Sequence, residues 1–438
     1  MNVKICLNTK RIIVYLLLLI SVFPAYYHIA GRMVSSVILV PLLFVMAVAG
    51  GCKIKSSDFK VLFLFFCWIL IKSAIYCYHG ETLRALSFSL FIISIAFVVS
   101  TYVTTIEKFL SLIDMMLVIS AFLCLLGIVE GITGFNLFVH LDVEGNVVRN
   151  LERLGIVRII SFTAQATHYA LYTSMMAILA IYRITSVKTQ KEKIKFYIIL
   201  GLNIVNLLLT LTRSTIVCFM ACIIIIIFKM GMGRFLGIML TALFITIVVS
   251  IFLKESFFGQ FIYMMLSLFN QSFADRLPSG ALLEYANGIA DRFNLYKWVY
   301  ESVSGNMLLG VGERTQFAYT HKVDMISFSY YETKRSIEVY SLYLLYHFGI
   351  VGMIVEFLTY IQFAFRTFMC SFKSKMCFEK KFNFDFIMFN ILILNIVNWF
   401  AVAQGEESAT IYILIFAWVC YSRIKRNESI LSVNGGER

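Results

Sequence analysis

A chain of 438 residues that is 60% hydrophobic and has only 3 prolines carries more apolar surface than a water-soluble fold of that length can bury. Its apolar runs of about 18–25 residues read as membrane-spanning helices, and their continuity disfavours a strand-built barrel, whose strands alternate residue by residue. The net charge of +13 is concentrated in short loops on alternate sides of those runs, as in loops kept cytoplasmic during insertion, so it does not point to nucleic acid.

Lys4, Lys10 and Arg11 precede the first run, and no small-x-small cleavage site follows, so the N-terminus reads as an uncleaved first helix. Spans are expected at 12–30, 33–50, 61–78, 85–106, 110–130, 166–182, 196–211, 215–229, 235–253, 349–365, 385–402 and 410–422. The fold class is therefore all-α, a polytopic helical membrane protein with about twelve transmembrane helices. With the N-terminus inside, the inside loops hold Lys53, Lys55, Lys60, Lys108, Arg183, Lys188, Lys229, Arg366 and Lys373, and the tail holds Arg423, Lys425 and Arg426. The short outside loops hold only Arg32, Arg84 and Arg213, which predicts both termini on the cytoplasmic side.

Two segments depart from this rhythm: an outside loop at 131–165 and a much longer one at 254–336. The chain thus divides into 1–253 (spans one to nine with the 131–165 loop), 254–336 (a large periplasmic loop), 337–422 (a short outer helix and spans ten to twelve) and 423–438 (a cytoplasmic tail). Within the large loop, residues 257–265 are apolar enough to lie along a membrane surface. Ile289, Phe293, Tyr296, Tyr300 and Val303 recur at helical spacing, and Gly305, Gly310 and Gly312 mark turns. The apolar run from Ser336 to Phe365 is too long for one straight span, so a helix of about three turns is expected at 336–347, with Gly349 or Gly352 as the place to bend. The ten cysteines lie in spans, at their ends or in inside loops, with no disulfide framework and no zinc spacing.

The residues that could carry chemistry sit at one side. Arg213 occupies a short polar notch, Leu211-Thr212-Arg213-Ser214-Thr215, between two apolar runs. A guanidinium at such a boundary is costly unless it is used. Arg158 ends the first long loop, and Arg292 lies on the amphipathic helix of the second. Planar guanidinium forks match phosphate oxygens, so these three predict a diphosphate site at headgroup level; the plainer reading is that they anchor loops or reach toward lipid headgroups. Glu338 is the acid of the short outer helix, able either to take a proton from a sugar hydroxyl or simply to favour a helix N-terminus. His168, one turn after Gln165 at the start of the sixth span, could hydrogen-bond a sugar, or be a satisfied structural residue; His347 has the same two readings. Lys72 and Glu356 lie inside spans, where they could pair or belong to a proton path. No metal-ligand cluster, Walker loop or dinucleotide fingerprint occurs.

Four stretches resemble the O-antigen polymerase and O-antigen ligase superfamily of bacterial envelope glycosyltransferases. Arg158-Ile-Ile-Ser-Phe is similar to that family's Arg-x-x-Gly/Ser-Phe stretch, although Gln165 and Ala166 stand where the family often has Glu-Pro-Ser or Asn-Pro. Leu211 to Thr215 resembles its Ser/Thr-Arg-small motif. Arg292 to Trp298, followed by Leu308-Leu-Gly310-Val-Gly312, resembles its arginine-to-tryptophan helix and Gly-x-Gly turn. Glu338 to Leu342, continuing through Phe348-Gly349-Ile-Val-Gly352, resembles the segment after its large loop. Ligases typically have a histidine-asparagine pair where this chain has Glu338-Val339, which favours a polymerase.

The resemblance implies a GT-C-like, all-helical glycosyltransferase of the bacterial inner membrane, with a periplasmic site and neither metal nor cofactor. The implied partners are an undecaprenyl diphosphate-linked oligosaccharide, membrane lipid and a polysaccharide chain-length regulator. Arg158, Arg213 and Arg292 would bind the diphosphate, with Arg213 and Glu338 in the catalytic roles and His168 and Tyr340 lining the glycan site. Two alternatives stay open at this point: a ligase moving finished glycan to lipid A-core, and a transporter of lipid-linked oligosaccharide.

Overall fold

The structure is a computed structural model, and it describes residues 9–22, 28–29, 32–33, 38–139, 152–153, 156–163, 165–230, 237, 257–266, 294–324, 329–334, 337, 339–373, 383–401 and 409–435. Its elements are helices α1 (Thr9–Val22), α2 (Val40–Ala49), α3 (Ser56–Tyr78), α4 (Thr82–Tyr102), α5 (Ile106–Thr133), α6 (Ala166–Ser186), α7 (Gln190–Leu209), α8 (Arg213–Met230), α9 (Phe257–Leu266), α10 (294–303), α11 (Tyr340–Lys373), α12 (Phe384–Ala401) and α13 (Ala409–Gly435). Among the described helices α3, α4, α5 and the stretch Tyr340–Ser371 are long and apolar enough to cross a membrane. Large apolar side chains on their outward faces, such as Leu70, Phe122, Ile132 and Phe365, are exposed.

Two helices form the centre. Every residue of α6 from Tyr169 to Ala180, and of α13 from Ala409 to Tyr421, is buried. A helix apolar around its whole circumference belongs inside a bundle rather than on its surface. The remaining helix ends fall into two groups. At one end Asp58 of α3 meets Arg423 of α13, Ser100 of α4 donates to Asp58 at 2.6 Å, and Arg423 also donates to the Val103 carbonyl at 2.9 Å. Arg183 of α6 forks onto Asp114 of α5 there, at 2.6 and 2.9 Å. At the opposite end lie the loops that follow α3, α5 and α7.

Most expected spans coincide with helices. The expected span 235–253 lies outside the described residues, apart from residue 237. The first two are shorter than the hydropathy pattern implies: α1 ends at Val22, a small hairpin pairs His28–Ile29 with Arg32–Met33, and α2 starts at Val40 with Pro41 in its first turn. Proline lacks an amide proton and fits only where the helix has no acceptor for one. The last helix runs past 422 to Gly435, because the Arg423 charge finds Asp58 instead of ending the helix at a solvent boundary. Two further hairpins, Glu152–Arg153 with Ile156–Val157 and Tyr319–Asp324 with Ser329–Lys334, had no counterpart in the sequence reading.

The helix expected at 336–347 begins only at Tyr340, after non-helical Ile337 and Val339, and forms the first part of α11, which breaks at Gly349 (φ 65°, ψ −170°). The break frees backbone groups, and residues 307–312, with their Gly-x-Gly turn, take them. Ile350 and Val351 amides donate to the Met307 and Leu308 carbonyls at 2.9 and 3.2 Å, while Val311 and Gly312 amides donate to Tyr346 and His347 carbonyls at 2.9 and 3.1 Å. The two backbones approach so closely that a Cβ on Gly349 would lie 2.3 Å from the Leu308 oxygen, and one on Gly310 would lie 2.5 Å from the His347 carbonyl carbon. Gly349→Ala therefore combines left-handed backbone strain with overlap and is expected to cost about 3 kcal/mol in sum. Gly201→Ala, on an open face of α7 with nothing within 4 Å, is expected to be neutral or stabilising by up to about 1 kcal/mol. Thermal unfolding of both variants in detergent checks the contrast.

Candidate functional site

The loop after α5 and the notch between α7 and α8 meet at one end of the bundle. Arg158 is buried, and its guanidinium closes the contact: Nε donates to the Thr210 carbonyl at 3.0 Å and Nη2 to the Thr212 hydroxyl at 3.3 Å. The Ile159 amide donates to the Leu209 carbonyl at 3.4 Å, so backbone and side chain bind the same turn. Arg213 opens α8 as its first residue and is partly exposed. The first turn of any helix leaves amide donors without acceptors of its own, and its end carries partial positive charge. The Arg158 guanidinium and the helix N-terminus that Arg213 opens thus meet at one notch.

Both strands of this contact carry strained backbone. Ser161 (φ 49°) and Leu211 (φ 51°) are the positive-φ residues other than glycine among the described residues. Such conformations cost about 1–3 kcal/mol each and persist only where surrounding bonds over-determine them. Leu211 is fully buried, which leaves its neighbours Thr210 and Thr212 facing Arg158.

The notch connects onward to α11. The Thr215 hydroxyl donates to Asn398 Oδ1 of α12 at 3.0 Å, and the next residue, Trp399, has its ring 5.4 Å from that of Tyr340. A continuous line of contacts therefore joins Arg158, the notch that holds Arg213, and Tyr340. His168 is half-buried in the first turn of α6, close in sequence to the same loop. Arg292 and Glu338 lie outside the described residues. Their described chain neighbours Leu295 and Ile337 belong to one apolar cluster with Trp298, Val303, Val339 and Tyr346.

Tyr340 is buried, and its hydroxyl donates to Glu356 Oε1 at 2.7 Å. Glu356 Oε2 in turn pairs with Lys72 Nζ at 3.4 Å, both side chains being 2% exposed. The ammonium sits against the rings of Trp68, Phe88 and Phe348 at 4.6–5.3 Å. Of the two readings of these in-span residues, pairing is the one observed. The pair ties α3 to α11 just below the helix break.

A second polar cluster at the same end holds His347, a candidate from the sequence, together with His79, Glu81, Glu313 and Tyr343, which the sequence did not mark. His79 Nε2 donates to the Leu309 carbonyl at 3.1 Å and His347 Nδ1 to the Gly312 carbonyl at 2.8 Å, the proton in each case being required by an acceptor that cannot donate. Arg84 bridges Glu313 at 2.6 Å and Glu81 at 3.3 Å, and Glu81 also accepts the Arg314 amide at 3.0 Å. The Tyr343 hydroxyl donates to Glu313 at 2.6 Å. These bonds fasten residues 309–314 to α3, α4 and α11. Farther along the chain Tyr319 stacks on Trp298 and donates to Glu301 at 2.7 Å, a bond that raises its hydroxyl above the ordinary phenol value.

The sequence reading also missed Glu130, in the last turn of α5 and 1% exposed. An acid ending an apolar run was the available signal. No protein-family model matches this chain, and no curated protein matches it.

Removing Lys72 alone strands a buried carboxylate. Lys72→Met is expected to cost about 3–5 kcal/mol, while Lys72→Met combined with Glu356→Leu recovers most of that loss, because an apolar pair needs no compensating charge. Melting temperatures of the purified single and double variants in one detergent test this directly.

Proposed function

We propose that the chain is a polymerase of O-antigen or a related surface polysaccharide, acting at the periplasmic face of a bacterial inner membrane that it crosses about twelve times. The growing glycan moves from undecaprenyl diphosphate to a lipid-linked repeat unit. The observation that carries this reading is the convergence of Arg158 on the turn that leads into Arg213, three residues beyond the carbonyl that Arg158 itself binds. A helix N-terminus flanked by guanidiniums is suited to an anion with several oxygens.

In the proposed reaction an acceptor hydroxyl oxygen bonds to the anomeric carbon as the bond from that carbon to the diphosphate oxygen breaks. Arg158, Arg213 and Arg292 take up the charge of the departing undecaprenyl diphosphate, the form of electrostatic stabilisation that contributes most to such transfers. Glu338 accepts the hydroxyl proton. Tyr340 and His168 line the sugar. Guanidinium groups, rather than a metal ion, neutralise the leaving group, and a chain-length regulator is the expected protein partner. The polymerase reading is preferred to the ligase because of Glu338, and to a transporter because the in-span charges Lys72 and Glu356 are closed upon each other and enclosed by rings rather than lining an open path.

Arg213→Ala is expected to insert into the membrane normally and to lower chain extension about 10²–10³-fold. Arg213→Lys is expected to recover only part of it, since a point charge lacks the fork. Purified protein supplied with lipid-linked repeat units alone should make longer lipid-linked chains, which a ligase would not. Wild-type ladders from well-expressed Arg213→Ala protein would overturn the assignment. Unchanged extension by Glu338→Gln would remove the proton-accepting role from that residue.

A further inference from the structure

We infer that Glu130 and Asn136 are positioning residues that set the geometry of Arg158, an inference that rests on the diphosphate site proposed above. The two side chains hold both backbone groups of Ser161. Glu130 accepts the Ser161 amide at 2.8 Å and the Ile160 amide at 3.2 and 3.3 Å. Asn136 Nδ2 donates to the Ser161 carbonyl at 2.9 Å and to Glu130 Oε1 at 2.9 Å, while its Oδ1 accepts the Phe138 amide at 2.8 Å. The Ser161 hydroxyl completes the set by donating to the Leu123 carbonyl at 3.3 Å. This set of bonds is what maintains the left-handed backbone at Ser161 (φ 49°).

Ser161 is three residues after Arg158. The segment is therefore pinned at both ends, to α5 through Glu130 and to the α7–α8 notch through Arg158 and Ile159. Three residues span about 10 Å of extended chain, too short to relax at one end without moving the other. The choice of residue supports a role beyond anchoring. Glu130 and Asn136 line a cleft whose other walls are Leu126, Val129, Phe135, Leu137 and Phe138, together with Ser161. A carboxylate is the most expensive polar group to keep in such surroundings. It also forms the strongest bonds to amide donors, roughly twice those of a neutral acceptor, and so resists displacement when a dianionic ligand pulls on the neighbouring guanidinium. Rigid support of this kind separates a precise site from one loose by an ångström.

The test compares Glu130→Gln, Asn136→Ala and Arg158→Ala, singly and with Glu130→Gln added to Arg158→Ala, in purified protein extending lipid-linked repeat units. Inorganic pyrophosphate serves as competitive probe of the anion site. Each single change at 130 or 136 is expected to lower kcat/KM about 10- to 100-fold and to weaken pyrophosphate inhibition by a similar factor. Glu130→Gln is expected to add little to Arg158→Ala, because a residue acting through another loses its effect once that other is gone. A merely structural clamp would lower the melting temperature, leave pyrophosphate inhibition unchanged and add its loss in full to Arg158→Ala; any of the last two results overturns the inference. Should Glu130→Gln fail to accumulate in membranes, Asn136→Ala carries the same comparison. Undiminished extension by Arg213→Ala, or no pyrophosphate inhibition of the unaltered protein, would instead sink the diphosphate site itself.

Discussion

Buried backbone that leaves a continuous helix must find partners for its amides and carbonyls within the protein. The structure meets this demand in three ways. At Gly349 the break is filled by another stretch of backbone, and the carbonyls of Tyr346 and His347 and the amides of Ile350 and Val351 all bond to residues 307–312. At Ser161 a carboxylate and a carboxamide do the work. At the α7–α8 notch a guanidinium takes the Thr210 carbonyl. These solutions cluster at one end of the bundle, and they bring charged and polar side chains there for reasons of backbone satisfaction. Function can then draw on groups that the fold already had to supply.

Acid–base pairs occur at both ends of the bundle, and Arg84 with Glu313 and Glu81 lies at the end that holds the notch. Asp58 with Arg423, and Asp114 with Arg183, are acid–base pairs matched one to one. The arginine at residue 158 is bound by a carbonyl and a hydroxyl. Neutral oxygens fix the orientation of a guanidinium. The N-terminus of α8 adds partial positive charge at the notch.

Much of the frame was legible in sequence because it rests on local pattern. Apolar runs located most helices, and the excess length of the run before Phe365, with glycine inside it, located the broken helix. Arg158 and Arg213 stood out since charge at an apolar boundary has a known cost. What stayed hidden depends on residues far apart in the chain. Glu313 meets Arg84 across 229 positions, and Lys72 meets Glu356 across 284. A charge in an apolar run announces that a partner exists without naming it. The hairpin at 319–334 was hidden for another reason: a short two-stranded ribbon beside helices relies on its neighbours, here Trp298 against Tyr319, more than on its own alternation. Glu130 fell at the limit of an expected span, where a boundary residue reads as a solvent-facing terminus.

The interlock between residues 307–312 and the break in α11 has an evolutionary and practical corollary. Loops between helices are usually more variable than the helices they join. Here the turn and the broken helix supply each other's backbone partners, and two glycines allow the main chains to touch. A chimaera that transplants the large loop without the 340–351 segment would split that shared surface between two ancestors. Loop and helix must therefore be inherited as one unit, which sets the smallest piece of this protein that recombination can move intact.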